Sequence, residues 1–326
     1  MQERDSGATA SGFVLILITL VGWSSVPLFL KHFTGYLEDG WTTNGWRYGM
    51  SALFWAPVLI YATYQGRAPK ALWKAALVPA LFNLPAQISF AWAPYYINAG
   101  MLAFMLRLQI VFVAVASYML FPAERRVLRS PSYVIGVATV FGGMVGLLFL
   151  GTTRPEGRTA FGIGLGIFAG IFYGAYSMAV RKYVTGMSAV LAFAAISLYT
   201  ALGLIPVMLL MGKDHGAGAW RLSWAQFGLL FASALAGIAL THVTYYAAIA
   251  RIGLALSVGI ILLQPFLASA GAYFLFGEQL TAAQWASGII AMCGAGVMVK
   301  AQWSGKKPVE ALRLTEATQS SVGFRT

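Results

Sequence analysis

The chain reads as an all-α integral membrane protein of ten transmembrane helices, arranged as two five-helix repeats of inverted topology. Three observations carry that expectation. Hydrophobic residues make up 59% of the 326 positions and charged residues 10%, far too little polar material to coat a soluble globule of this size. The apolar residues gather into segments of the roughly 20 residues that a helix needs to cross the hydrocarbon core. The segment from Asn98 to Arg126, NAGMLAFMLRLQIVFVAVASYMLFPAER, is partly echoed from Gly253 to Glu278, GLALSVGIILLQPFLASAGAYFLFGE.

Spans are expected near 12–31, 41–62, 72–94, 98–121, 132–151, 161–180, 189–211, 225–247, 254–276 and 282–302. The first repeat covers 12–151 and the second 161–302. Local start signals support this segmentation: Ser130-Pro131 before the fifth span, Ser223 with Gln226 before the eighth, and Thr281 with Gln284 before the tenth. Residues 1–11, MQERDSGATAS, lack the basic region and cleavage site of a secretory signal, so the first apolar segment is expected to be retained. The polar tail 303–326 is expected to be disordered.

Lys and Arg set the orientation. Arg67, Lys70, Lys74, Arg125, Arg126, Arg129, Arg181, Lys182 and Arg251 fall on the same side as both termini, whereas Lys31, Arg154, Arg158, Lys213 and Arg221 fall opposite. That bias places both termini in the cytoplasm. The net charge of +12 is therefore a matter of membrane orientation, and no basic stripe for nucleic acid is present. Cys293 is the single cysteine, which excludes an intramolecular disulfide.

Matching Gln109 to Gln264 also pairs Phe90 with Tyr245 and Gln87 with His242, and Trp23–Lys31 resembles Tyr173–Arg181. One residue of slip brings Phe121-Pro122-Ala123-Glu124 onto Phe276-Gly277-Glu278. Five spans per half is an odd number, so the halves enter the membrane from opposite sides. In that plan a binding site lies near the midplane, where the repeats meet.

GWSSVPLFLK in the first span, WRYG in the second, LLQPFLASAGAYFLFGEQLT between the ninth and tenth, and the terminal GIIAMCGAGVMV resemble the drug/metabolite transporter superfamily, of the ten-helix type with two EamA-like halves. The resemblance covers roughly 12–302. The first half departs from the pattern where Ile110 replaces the proline that follows the glutamine, whereas Pro265 is kept in the second. The resemblance implies a solute carrier, often an exporter of amino acids or other metabolites, with a central cavity lined by spans 1, 3, 4, 6, 8 and 9.

Ionisable groups at membrane depth cost about 2.5–3.5 kcal/mol on insertion scales, so each needs a reason to be there. Arg107 is the deepest, and no Asp or Glu lies inside any expected span. Its guanidinium either binds a substrate carboxylate or phosphate, or is held structurally by Gln109, Asn98 or freed carbonyls. Arg47, near the start of the second span, can snorkel toward the outer interface at that depth; it is expected to be structural, with attraction of anions at the outer mouth as the alternative. Asn83 and Gln87 share a helix face flanked by Pro79 and Pro85, as a polar cavity wall or as interhelical hydrogen-bonding groups. His242, in Thr241-His242-Val243-Thr244-Tyr245-Tyr246, is a candidate for proton coupling or a neutral ring bonded to a nearby hydroxyl.

Trp23, Trp92, Tyr173, Tyr176, Tyr245 and Tyr246 offer a stacking surface, whereas Trp41, Trp73, Trp220, Trp224, Trp285 and Trp303 read as interfacial anchors. Gly162, Gly166, Gly170 and Gly174, with Gly142 and Gly146, are expected to permit close helix packing. Glu124 and Glu278 read as end-of-helix charges.

The candidate substrate-binding set is Arg107, Gln109, Asn83, Gln87, Trp23, Ser24, His242, Tyr245, Tyr173, Tyr176 and Gln264. No catalytic residue, metal or cofactor is expected. The expected partners are a small-molecule substrate and membrane lipids, not nucleic acid, and the expected location is the plasma membrane, the bacterial inner membrane. No Walker-type loop supports ATP drive, so a secondary transporter of an anionic or amphipathic metabolite leads. The alternatives are a flippase for a phosphate-bearing substrate, a nontransporting subunit and a membrane-embedded enzyme.

Overall fold

The computed structural model describes residues 2–120, 122, 125–150, 157–184, 186–252 and 254–301. Phe121, Ala123 and Glu124 of the echoed motif, Gly253, the loop with Arg154 and Glu156, and the tail with Trp303 lie outside the described residues. Among the described residues there is no strand. The long helices are α1 (Gln2–Phe33), α2 (Gly40–Tyr64), α3 (Lys70–Tyr95), α4 (Ala99–Leu120), α5 (Pro131–Phe149), α6 (Gly157–Tyr183), α7 (Ala189–Met211), α8 (Trp224–Ile249), α9 (Ser257–Phe276) and α10 (Ala282–Ala301).

Nine of them, among the described residues and counting α1 from Ala10, are long and apolar enough to cross a membrane. The exception is α2, where a tenth span was expected. Thr42, Thr43, Asn44, Arg47 and Ser51 occupy its first half, and all five are buried in the bundle. Thr42 and Thr43 bond to the cap residue Asp39, and Asn44, Arg47 and Ser51 to neighbouring helices, and this polarity dilutes the hydropathy of the segment.

The helix starts follow their sequence signals. The Ser130 hydroxyl accepts the Tyr133 N–H at 3.4 Å. Ser223 with Gln226 and Thr281 with Gln284 each form reciprocal capping bonds at 3.0–3.3 Å. Asp39 caps α2 by accepting the Thr42 N–H at 2.6 Å, and its second oxygen accepts the Lys213 N–H at 2.9 Å, which ties the end of α7 to the start of α2. In α8 a π-helical turn at Leu235–Ala239 interrupts the ladder, and the Trp55 indole donates to the Ala239 carbonyl at 3.1 Å.

Helix α3 packs on α6 and α7, α1 on α8 and α9, α2 on α7, and α4 on α6 and α9. The glycine stripe of α6 lies against α4 as expected: a Cβ at Gly166 would sit 3.2 Å from Met105, and one at Gly174 3.3 Å from Phe112. On α5 one of the expected pair packs, since a Cβ at Gly146 would sit 2.5 Å from the Ser287 hydroxyl of α10, and the other is corrected. Gly142 faces open space, whereas a Cβ at Gly143 would sit 2.6 Å from the Ala291 nitrogen and the Ser287 carbonyl of α10. The step from 142 to 143 turns the helix by about 100°, enough to leave the contact face. Trp220 and Trp224 are exposed as anchors should be. Trp285 instead packs inward, stacked on Phe266 with 6.0 Å between centroids.

Glu278 follows Gly277, whose φ of 66° ends α9 in the left-handed conformation open to glycine. The carboxylate is an end-of-helix charge, but for a different helix. It accepts the Ala99 N–H at 2.8 Å, at the first residue of α4, where the helix dipole favours an anion. Lys31 at the end of α1 lies 3.5 Å from the same carboxylate and donates to the Pro94 carbonyl at 3.0 Å. One face of the bundle is thus closed by a single junction of α1, α3, α4 and α9. Glu278→Ala is expected to remove about 1–2 kcal/mol of stability, read as a lower thermal unfolding midpoint in detergent; Glu278→Gln, which keeps an acceptor for Ala99 but loses Lys31, should fall between it and the parent.

Candidate functional site

Helices α4 and α9 are both broken at the same relative position. In α4 the turn Leu106–Leu108 is 3-10; in α9 the α-helix lapses at Leu262–Leu263, just before Gln264-Pro265. Proline explains the second break, because it lacks the N–H that the preceding turn needs. In the first, Ile110 stands where that proline was expected, and the break persists. Each break is followed by its glutamine, Gln109 or Gln264.

Arg107 lies on the 3-10 turn of α4 and is 6% exposed. One guanidinium amine, Nη2, donates to the Gln264 side-chain oxygen across the bundle. Nε is buried with no hydrogen-bond partner among the described residues. Gln264 in turn donates from Nε2 to the Trp23 carbonyl at 2.9 Å, and the Ser24 hydroxyl reaches the Gln264 carbonyl at 3.4 Å while donating to Leu20 at 2.6 Å. Helices α1, α4 and α9 therefore meet around one guanidinium.

Rings from α1, α7 and α8 adjoin it. Trp23 contacts Tyr245 at 4.9 Å and His242 at 5.4 Å between centroids. His242 stacks on Phe193 at 4.4 Å with planes 12° apart, and its Nδ1 donates to the Ile238 carbonyl at 3.0 Å. Its bonding partner is thus a backbone carbonyl of the same helix, not the hydroxyl expected. Nearby, Thr19 and Thr244 share a hydroxyl bond of 2.8 Å, and the buried Thr241 hydroxyl has no partner among the described residues.

A second polar centre is built around Arg47. Arg47 is structural as expected, but it does not snorkel, since it is 0% exposed. It donates to Asn44 at 2.9 Å and to the Ser233 hydroxyl at 3.1 Å, which fixes α2 against α8 just before the π turn. Asn44 donates to the Gln87 carbonyl at 2.6 Å, and Asn83 donates to the Tyr48 hydroxyl at 3.0 Å and to Thr200 at 3.1 Å. Asn83 and Gln87 thus act as interhelical hydrogen-bonding groups here. Tyr173 lies edge-on to Phe90, 5.9 Å away.

The candidate residues are therefore divided. Arg107, Gln264, Trp23, Ser24, Tyr245 and His242 come together, whereas Asn83, Gln87 and Tyr173 join the Arg47 network. Gln109 is half-buried, with its backbone against Gly170 and Gly174. Tyr176 is buried beside Tyr246, and Trp92 packs on Trp41 at the far end of α3. Phe193 and Ser233 were missed, because a Phe or Ser in an apolar run carries no signal of its own. Asn44, three residues before Arg47, could have been found by helical spacing.

Residues 160–300 match the model of the EamA-like transporter family, less than half of the chain. The resemblance to drug/metabolite transporters is thereby shown over residues 160–300 of an integral membrane protein. Among solved structures, a crystal structure described only as that of a protein aligns with a TM-score of 0.60 at 18% identity, over 90% of this chain and 97% of the other. At that identity the likeness concerns the fold. No curated protein matches the chain.

Gln264→Leu removes the acceptor of a buried cation and is expected to lower stability by about 1–3 kcal/mol. Gln264→Glu should raise the unfolding midpoint above the parent, because a carboxylate facing Arg107 satisfies it. A midpoint for Gln264→Leu equal to that of the parent would show that Arg107 needs no acceptor there.

Proposed function

We propose that this protein is a secondary transporter that moves a small anionic metabolite by alternating access, with Arg107 as the group that binds the anion. The observation that carries this reading is a buried guanidinium whose only described side-chain partner is a neutral amide and whose Nε lacks a partner. The edge formed by Nε and Nη2 is the shape that a carboxylate spans with two parallel bonds. Gln264 supplies one oxygen to that edge, and a substrate carboxylate would supply two.

We take the chain to be ten helices in two inverted repeats, with α2 as the remaining crossing. The packing supports this. The contact of α3 with α6 has its counterpart in α8 with α1, and that of α4 with α6 in α9 with α1. The pairs α2 with α7 and α4 with α9 are each their own counterpart. Both termini are placed in the cytoplasm by the Lys and Arg bias.

Accessibility along α4 supports a site reached from the cytoplasm. Residues 99–108 are buried except the half-buried Met101, whereas 109–113 are all half-buried. The bundle is packed shut at the Glu278 face and looser beyond Arg107, which suits an exporter ready to load. His242 is our candidate for a coupled proton, as a titratable ring in contact with Trp23.

Arg107→Ala in proteoliposomes is expected to lower transport of an organic anion by about tenfold or more, the loss of one charge-assisted interaction. Gln264→Glu should do the same by filling the guanidinium edge internally. Anion transport left unchanged by both would overturn the assignment.

A further inference from the structure

We infer that the site beside Arg107 takes a planar aromatic monocarboxylate without an ammonium group, in preference to the corresponding amino acid. This rests on the anion-binding reading of Arg107 given above and names the body of the ligand that its neighbours select.

The charge comes first. The acidic side chains described are Glu38, Asp39, Asp214 and Glu278. Glu38 pairs with Lys213, Asp39 caps α2, Asp214 pairs with Arg221, and Glu278 is at the α4 start. None of them lies among the residues around Arg107. An ammonium group brought there would meet a buried guanidinium of like charge and, among the described residues, no carboxylate to offset its loss of water. A carboxylate meets the reverse situation. The second buried arginine does not add a second anion subsite, because its donors are already directed to Asn44 and Ser233. One guanidinium edge suits one negative charge, which separates a monocarboxylate from a phosphate dianion.

The body of the ligand follows from the rings. Trp23 is tied to the anion end through its own carbonyl, held by Gln264, and its indole contacts both Tyr245 and His242. Trp23, His242 and Tyr245 each keep accessible surface although they sit within the helix bundle. Their neighbour Phe193 braces the imidazole from behind at 4.4 Å. An aryl ring placed against Trp23 and Tyr245 gains offset or edge contacts as well as burial of its apolar area. A ligand of the size of acetate reaches the guanidinium but none of these faces.

The test uses the purified full-length chain, with indole-3-acetate, tryptophan and acetate compared by calorimetric titration and by thermal stabilisation. Indole-3-acetate is expected to bind about tenfold or more tightly than either of the others. Trp23→Leu should erase its advantage over acetate, and Arg107→Gln should abolish binding of both acids. Tryptophan binding as tightly as indole-3-acetate, or acetate matching it, would overturn this inference and leave the anion reading intact, provided that Arg107→Gln still abolishes binding. Acid binding that survives Arg107→Gln, or no binding of either acid to the parent, would bring down both. Should Trp23→Leu fail to fold, Trp23→Phe, which keeps a ring, serves instead and is expected to retain at least part of the preference; complete loss with Phe would count against a stacking role.

Discussion

A positive charge held away from water must be given acceptors, and at Arg107 the bundle supplies one neutral oxygen. Around that partial settlement three helices are brought together. Arg107 comes from α4, Gln264 from α9, and the Trp23 carbonyl from α1. An internal carboxylate would have satisfied the guanidinium better, and none lies in the described surroundings, which leaves Nε without an acceptor. The other buried guanidinium shows the contrast. Arg47 is bonded to a side-chain amide and to a hydroxyl, and those bonds join α2 to α8 as part of the frame.

The breaks in α4 and α9 make this geometry possible. A continuous helix satisfies its own carbonyls and projects side chains at fixed 100° steps; a 3-10 turn or a proline step changes that rotation and frees backbone acceptors. That both breaks fall beside the paired glutamines, although only one of them contains proline, shows that the local twist is imposed by packing as much as by residue type. Helix α6 presents its glycines to this part of α4, so the distorted turn is accommodated without side chains between the two backbones.

Much of the architecture was legible in the sequence because apolar length, capping residues and small-residue spacing are local signals. Ser223 with Gln226 and Thr281 with Gln284 act where the pattern placed them. That Arg107 would need a partner was also legible, since a charge in an apolar run is costly wherever it points. Its partner was not, because Gln264 is 157 positions away and sequence separation carries no distance. Arg47 was misread for a related reason: depth near a helix start permits snorkelling, but only the packing of α8 shows that acceptors were available inside. The same polar first half kept α2 from registering as a span by composition, since burial among helices relaxes the demand for apolar residues.

The junction at Glu278 has a mechanical meaning. Its carboxylate holds the first N–H of α4, pairs with the end of α1, and through Lys31 reaches the last turn of α3. Any displacement of α9 from α4 on that face breaks the cap and loosens the ion pair together. The ends of four helices on that face therefore hang on one carboxylate, whose loss would release the α4 cap and the α1 ion pair at once.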